Sequence, residues 1–344
     1  MDDFRRILLT HRALRPKAEV QDYVKLAWQS TFGPGHMIRD AASAIDRLRK
    51  EAASVTPDAQ MLFELIGSGF YRMNLASPRD FSLEAAAALF FFSADVKTGT
   101  DEALAEKLAQ IEALSAERAL PAGAAWLTAY RAAGCPAVHH TEAYRAAYHP
   151  AYRVVSEDAL RLLPLLRRLD ELLESRDTVT VAIDGNSASG KSLLGRALAD
   201  AYDAELFHMD DFFLPFPRKT PERLAQPGGN VDWERFQADV LDHLDEPAFA
   251  YRPFDCSTGG LAEPVFTEKQ PVQLIEGVYS LHPSLRGGYD LCVMLDINPA
   301  LQRQRIQARN PDKLERFLNE WIPLENNYFE ACDIAGRCGI VHRL

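Results

Sequence analysis

Cysteine is scarce. The five present (Cys135, Cys256, Cys292, Cys332 and Cys338) are odd in number, and no two stand at the close spacing of a zinc knuckle or a redox motif. They read as small buried hydrophobes or idle thiols. An excess of basic residues is also missing: the net charge of -11 argues against non-specific affinity for nucleic acid, because phosphate backbones reward positive surfaces. A phosphorylated ligand is not excluded, since it needs only a few well-placed donors. No long apolar run occurs. The most apolar stretch, Ala85 to Phe92, falls far short of the roughly 20 residues a membrane span requires. The opening MDDFRRILLTHRALRPK lacks the apolar core of a signal peptide. These absences predict a reduced, cytoplasmic setting with no membrane and no nucleic-acid partner, and they allow a homodimer. Internal repeats and low-complexity linkers are absent too.

What is there is globular: 344 residues, 47% hydrophobic and 25% charged, a length that suits two domains. Texture changes near residue 175, which predicts a mainly helical domain over 1–175 and a second domain over 176–344. In the first, periodic segments predict helices at about 18–32, 36–53, 82–95, 101–119 and 122–133. The segment 61–75, two apolar runs around Gly67-Ser68-Gly69, reads as either a hairpin or a break between helices. A helix over 156–177 follows, with Ser156 as its cap and Pro164 kinking it or marking its start.

The second half alternates strand and helix. Strands are predicted at 178–185, 204–210, 273–280 and 290–297, with a closing one at 339–344, and helices at 192–202 and after Pro299. Such alternation implies an α/β fold: a parallel sheet with helices on both faces, whose ligands sit beyond the carboxyl ends of the strands. Between the first strand and its helix stands Gly185-Asn186-Ser187-Ala188-Ser189-Gly190-Lys191-Ser192, which fits G-x-x-x-x-G-K-S/T without departure. Glycines let backbone N–H groups turn inward around phosphate oxygens, and the following helix aims its positive end at them. Lys191 would reach the β and γ phosphates of ATP, and the Ser192 hydroxyl would ligate Mg2+.

The class of P-loop protein follows by elimination. A guanine-reading N/T-K-x-D motif is missing; Asn310-Pro311-Asp312-Lys313 has those residues in the wrong order. The Asp-Glu strand ending of an ATPase motor is missing as well, since Glu276 precedes glycine and Asp296 precedes isoleucine. Small-molecule kinases remain. They need a carboxylate near the γ-phosphate to orient or deprotonate an acceptor hydroxyl, and Asp210 and Asp211 end the second strand. A second acid on the metal shell is supplied by Glu276. Cations over the transferring group are offered by Arg303, Arg305 and Arg309, of which Arg305 and Arg309 share a helix face.

With these pieces in view, residues 178–344 resemble the uridine kinase and phosphoribulokinase family of P-loop kinases. The resemblance is carried by the loop, by M-D-D-F-F at 209–213, N-V-D-W-E-R-F at 230–236, P-F-D at 253–255, I-E-G at 275–277 and the arginine-rich helix. It implies Asp210 as base towards the acceptor hydroxyl, Glu276 and Asp210 near magnesium, and Asp232 holding a sugar hydroxyl. Phe254, Tyr279 and Arg252 fall around the substrate. The lid pattern R-R-x-x-R-D reads here R-I-Q-A-R-N, which leaves open which arginine meets the phosphate. The family's tyrosine and histidine that hold a pyrimidine are replaced by Phe254 and about Gly259, so a base-reading hydrogen bond is missing. The expectation is an ATP- and magnesium-dependent phosphotransferase acting on an alcohol of a small metabolite, with a sugar, a nucleoside or a vitamin-like alcohol all open. The alternative is a regulatory module that binds nucleotide and reports it through the helical domain to a protein partner.

Residues 1–175 lie outside the resemblance. His36, in the turn Phe32-Gly33-Pro34-Gly35-His36, reads as a capping or packing residue. The cluster His139, His140, Tyr144, Tyr148, His149, Tyr152 and Arg153 could face the kinase cleft or pack the domain boundary, with packing favoured.

Overall fold

The computed structural model describes residues 3–38, 40–57, 61–95 and 99–343. Its contacts gather the chain into two compact units, Met1–Arg161 and Leu162–Leu344. In the first, eight α-helices among the described residues accompany one small sheet: α1 (Asp3–Leu14), α2 (Val20–Phe32), α3 (Ala41–Ser54), α4 (Leu83–Ala94), α5 (Asp101–Ala116), α6 (Ala124–Ala132), α7 (Glu142–Tyr148) and α8 (Glu157–Leu160). The sheet is antiparallel, in the order β1 (Phe63–Gly67), β2 (Phe70–Asn74), β3 (Tyr152–Ser156). The segment 61–75 is thus a hairpin. Ser68 and Gly69 both adopt positive φ, 51° and 73°, which matches the twist of the flanking strands. The strand β3 inside the histidine- and tyrosine-rich stretch has no counterpart in the sequence reading. The apolar run Ala85–Phe92 lies in α4, which is buried all round and capped by the Ser82 hydroxyl on the Ala85 N–H. No helix among the described residues is long and apolar enough to cross a membrane.

The second unit starts with α9 (Leu163–Ser175), which has Pro164 in its first turn, where a missing N–H costs nothing. Ser156 caps the short α8, so the single helix expected over 156–177 is two. The texture change at 175 and the division of contacts after 161 differ by α9, whose Leu165, Leu166 and Leu169 are buried beside β4 (Val179–Gly185). The chain continues through α10 (Lys191–Tyr202), β5 (Glu205–His208), α11 (Pro221–Leu224), α12 (Trp233–Asp239), β6 (Ala248–Tyr251), β7 (Phe254–Asp255), β8 (Gly260–Leu261), β9 (Val265–Glu268) and β10 (Val272–Glu276). It closes with β11 (Leu291–Asp296), α13 (Pro299–Arg309), α14 (Leu314–Arg316), a π-helical turn Phe317–Trp321, α15 (Ile322–Ala331), α16 (Ile334–Arg337) and β12 (Ile340–Arg343).

Five of these strands form one parallel sheet in the order β12-β11-β4-β10-β5. Every residue of β4 and β10 is buried, as expected of central strands covered on both faces. This is the α/β architecture expected from the alternating pattern. Because β10 lies between β4 and β5, the carboxyl ends of three strands distant in sequence stand side by side. Helix α10 rests close on this region. A Cβ built at Gly195 would lie 3.3 Å from Cγ of Glu276 and 3.2 Å from Leu206, so glycine permits the approach.

Candidate functional site

The loop after β4 turns on two glycines. Gly185 has φ 147°, and a Cβ there would sit 2.2 Å from the Leu295 carbonyl oxygen; Gly190 has φ 99° and opens α10. Lys191, 7% exposed, donates from Nζ to the Asn186 carbonyl at 2.9 Å, so its ammonium is folded across the loop. The exposed Ser192 donates from Oγ to Glu276 at 3.2 Å. Glu276, 5% exposed at the end of β10, also meets Nδ1 of His208 at 2.6 Å from the end of β5. That hydrogen bond holds the His208 pKa above its ordinary value against the effect of burial.

Asp210 follows in a helical turn, Met209–Phe212. Its side chain meets solvent although protein crowds it from several sides. Desolvation pushes its pKa up and Glu276 adds to the rise, while Lys191 and His208 pull it down, so Asp210, Lys191 and Glu276 share one electrostatic neighbourhood. Asp211 is turned elsewhere, accepting from the Tyr251 hydroxyl at 3.1 Å. Ser192 and Glu276 offer two hard oxygens, the number magnesium takes from protein when phosphates and water complete its shell. The pair fits that role. No cluster of three or more His, Cys, Asp or Glu suited to a metal ion occurs among the described residues.

The residues predicted to meet the acceptor are placed less uniformly. Asp232, 1% exposed, accepts from Arg218 at 2.6 Å and caps α12 through the Arg235 N–H. Phe254 is buried edge-on against Phe216, and Tyr279 is buried with φ 77°, edge-on to Tyr328. Arg252 is spent on the backbone, donating to the Ala262 and Leu261 carbonyls at 2.7 and 3.0 Å. Of the α13 arginines, Arg305 donates to the Ala188 carbonyl at 3.2 Å, while Arg303 and Arg309 are exposed and bond nothing in the loop.

Four residues with no role in the sequence reading frame the loop. Glu325 on α15, 4% exposed, accepts from the Ser187 N–H at 2.9 Å and from the Ser187 hydroxyl. Asn326 accepts from the Asn186 amide at 3.0 Å, and Gln302 donates to the Ser187 carbonyl at 3.0 Å. Asp184, fully buried, accepts from the backbone of Gly185, Tyr279 and Leu281 and from the Tyr328 hydroxyl. It clasps β4, the loop after β10 and α15 together. A carboxylate inside an apolar strand was the available signal for Asp184. Glu325 had none, since 138 residues separate it from Ser187.

No protein-family model matches the chain, and no curated protein is similar to it in sequence. Solved structures match about half of the chain. One, described as a possible uridine kinase from Bacillus stearothermophilus, is 21% identical with a TM-score of 0.39, covering 52% of this chain and 98% of its own. Another, described as a fructose transport system kinase from Silicibacter sp. TM1040, is 24% identical with a TM-score of 0.37, covering 54% of this chain and 97% of its own.

Proposed function

We propose that the chain is an ATP- and magnesium-dependent kinase that moves a γ-phosphoryl group to an alcohol of a small metabolite. One observation carries the reading: Ser192 of the loop lies 3.2 Å from Glu276 of β10, with Lys191 and Asp210 in the same electrostatic field at the carboxyl ends of a parallel sheet. Each group has a task there. Lys191 exchanges the Asn186 carbonyl for phosphate oxygens. Asp210, whose raised pKa brings it nearer to that of a working base, takes the proton of the attacking hydroxyl. A bond forms from that oxygen to the γ-phosphorus, and the bond from phosphorus to the β–γ bridging oxygen breaks. Arg305, already at the loop, offers positive charge to the moving group. Bound magnesium, held by Ser192 and Glu276, supplies screening of the phosphate charge.

The acceptor is a small alcohol, a sugar, a nucleoside or a vitamin-like one, on the reading that Asp232 and its neighbours face it. The test is ADP release with ATP-Mg and a panel of sugars, nucleosides and vitamin-like alcohols. Stimulation by one acceptor supports the kinase. If none stimulates while ATP still binds tightly, the nucleotide-sensing alternative takes its place.

A further inference from the structure

The first unit buries a cation that hydrogen-bonds no carboxylate among the described residues. Arg72, 2% exposed on β2, stands opposite Glu64 in the β1–β2 register, the natural partner across a strand pair. Yet Glu64 is taken by Arg15, whose Nη1 and Nη2 donate to its two oxygens at 2.6 and 2.7 Å. The other nearby carboxylate, Asp22, is filled by His140 at 2.8 Å, by the Thr141 hydroxyl and N–H at 2.8 and 3.1 Å, and by the Glu19 N–H. The hydrogen bonds of Arg72 go to one neutral oxygen, although Tyr152, Tyr144 and Glu64 lie close enough to hold its pKa up against burial. Its Nε and Nη2 both donate to Oε1 of Gln29, at 3.1 and 2.8 Å, and its plane lies over the Tyr152 ring. Its Nη1 is buried with no hydrogen-bond partner among the described residues. A buried donor in that state is costly unless an acceptor joins it.

Two further donors stand nearby. Gln29, 1% exposed, accepts through Oε1 from Arg72 and from the Tyr152 hydroxyl, which His140 holds in turn at 2.7 Å. This network fixes the amide so that Nε2 faces away as a donor, and Nε2 too is buried without a partner among the described residues. Lys25, four residues earlier, shares that face of α2. Its ammonium spends one hydrogen on the Val138 carbonyl at 3.0 Å, and it lies within the field of Arg72 while remaining partly exposed.

We propose that the first unit binds a small oxyanion, the carboxylate or phosphate group of a metabolite, through Nη1 of Arg72, Nε2 of Gln29 and Nζ of Lys25. The Asp22–His140–Tyr152 chain positions Gln29 and does not touch the ligand. Planar guanidinium and amide donors suit either oxyanion, and Lys25 is the partly exposed member of the three. The stretch of histidine and tyrosine in 139–152 therefore supports a site rather than a boundary.

The test is calorimetric titration of the full chain carrying Lys191→Ala, which removes the P-loop's hold on phosphate, with inorganic phosphate and with malonate. Saturable binding of one or both is expected, and which one binds tells phosphate from carboxylate. Lys25→Gln should weaken it by about tenfold or more and Arg72→Met should abolish it. Should Arg72→Met fail to fold by circular dichroism, Lys25→Gln decides alone. Absence of saturable binding by either anion, or an unchanged affinity in Lys25→Gln, overturns the proposal and leaves water as the filler of these donors.

Discussion

Asp210 and Glu325 are acids of opposite consequence beside one loop. Asp210 faces solvent with no hydrogen bond among the described residues, free to receive a proton. Asp210→Asn should keep ATP binding while phosphoryl transfer falls by about 10²–10⁴-fold, measured by ADP release beside nucleotide titration. Normal turnover in that variant would remove Asp210 as the base. Glu325 is buried, its pKa raised chiefly by desolvation, and it occupies the N–H and hydroxyl of Ser187. A buried negative charge there opposes the arrival of a polyphosphate. Glu325→Gln keeps the shape and removes the charge, so ATP should bind about threefold tighter or more with little change in melting temperature. Weaker binding in Glu325→Gln would mean that the carboxylate shapes the loop rather than opposing its ligand. Lys191 and Ser192 were legible because the eight loop residues are contiguous and their chemistry is local. Glu325, Asn326 and Gln302 were not, because only the packing of α13 and α15 brings them to the loop.

At the scale of elements, the parallel strands were readable as short apolar runs, three of which end in glycine or acid at Gly185, Glu276 and Asp296. The hairpin at 63–74 was ambiguous because Ser68-Gly69 resembles a helix break until both residues are seen at positive φ. β3 was hidden by its composition: Tyr152 and Arg153 look like surface, yet β3 pairs with β2 along its whole length. The π-helical turn at Phe317–Trp321 also escaped. Pro323, lacking an N–H to bond back to Asn319, stands just after it, and the widened turn packs Phe317 and Trp321 beside Ala188 at the loop tip. The junction of β4 with its loop is the least forgiving element. Gly185→Ala would drive a methyl into the backbone of β11 at a φ that L-residues avoid, and should destabilise the second unit by about 2–4 kcal/mol in urea unfolding. A loss below about 0.5 kcal/mol would show that β11 can move aside.

Across the whole molecule, the two units should respond oppositely to mild acid. In the first, burial pushes Glu64 up, but the His11 hydrogen bond and the charges of Arg72 and Arg15 outweigh it and hold its pKa at about 2, against an ordinary 4.5. Burial holds His11 at about 4 against 6.5. Both shifts are downward, so the stability tied to them is present above the ordinary values and is lost as pH falls, from His11 between 6.5 and about 4 and from Glu64 between 4.5 and about 2. In the second unit burial raises Asp184 to about 6 from 3.8, a shift whose stabilising share is present below 3.8 and lost as pH rises through about 6. Between pH 7 and 5, hydrogen exchange corrected for intrinsic rates should show the first unit losing protection relative to the second, by on the order of 1–2 kcal/mol. Parallel changes in both units would refute this.

The sheet order has a last consequence. Ser192 and Glu276 are set by α10 and β10 and Asp210 by the turn after β5, whereas Asp232, Arg252 and Phe254 lie on the excursion from that turn to β10, with its own small ribbons β6–β9 and β7–β8; Tyr279 lies outside it, just after β10. On the proposed reading, most of the acceptor chemistry therefore lies on a stretch of its own, with Asp210 at its junction with the donor site. That excursion can be exchanged for another, and a new alcohol accommodated, while the apparatus that grips the triphosphate stays as it is.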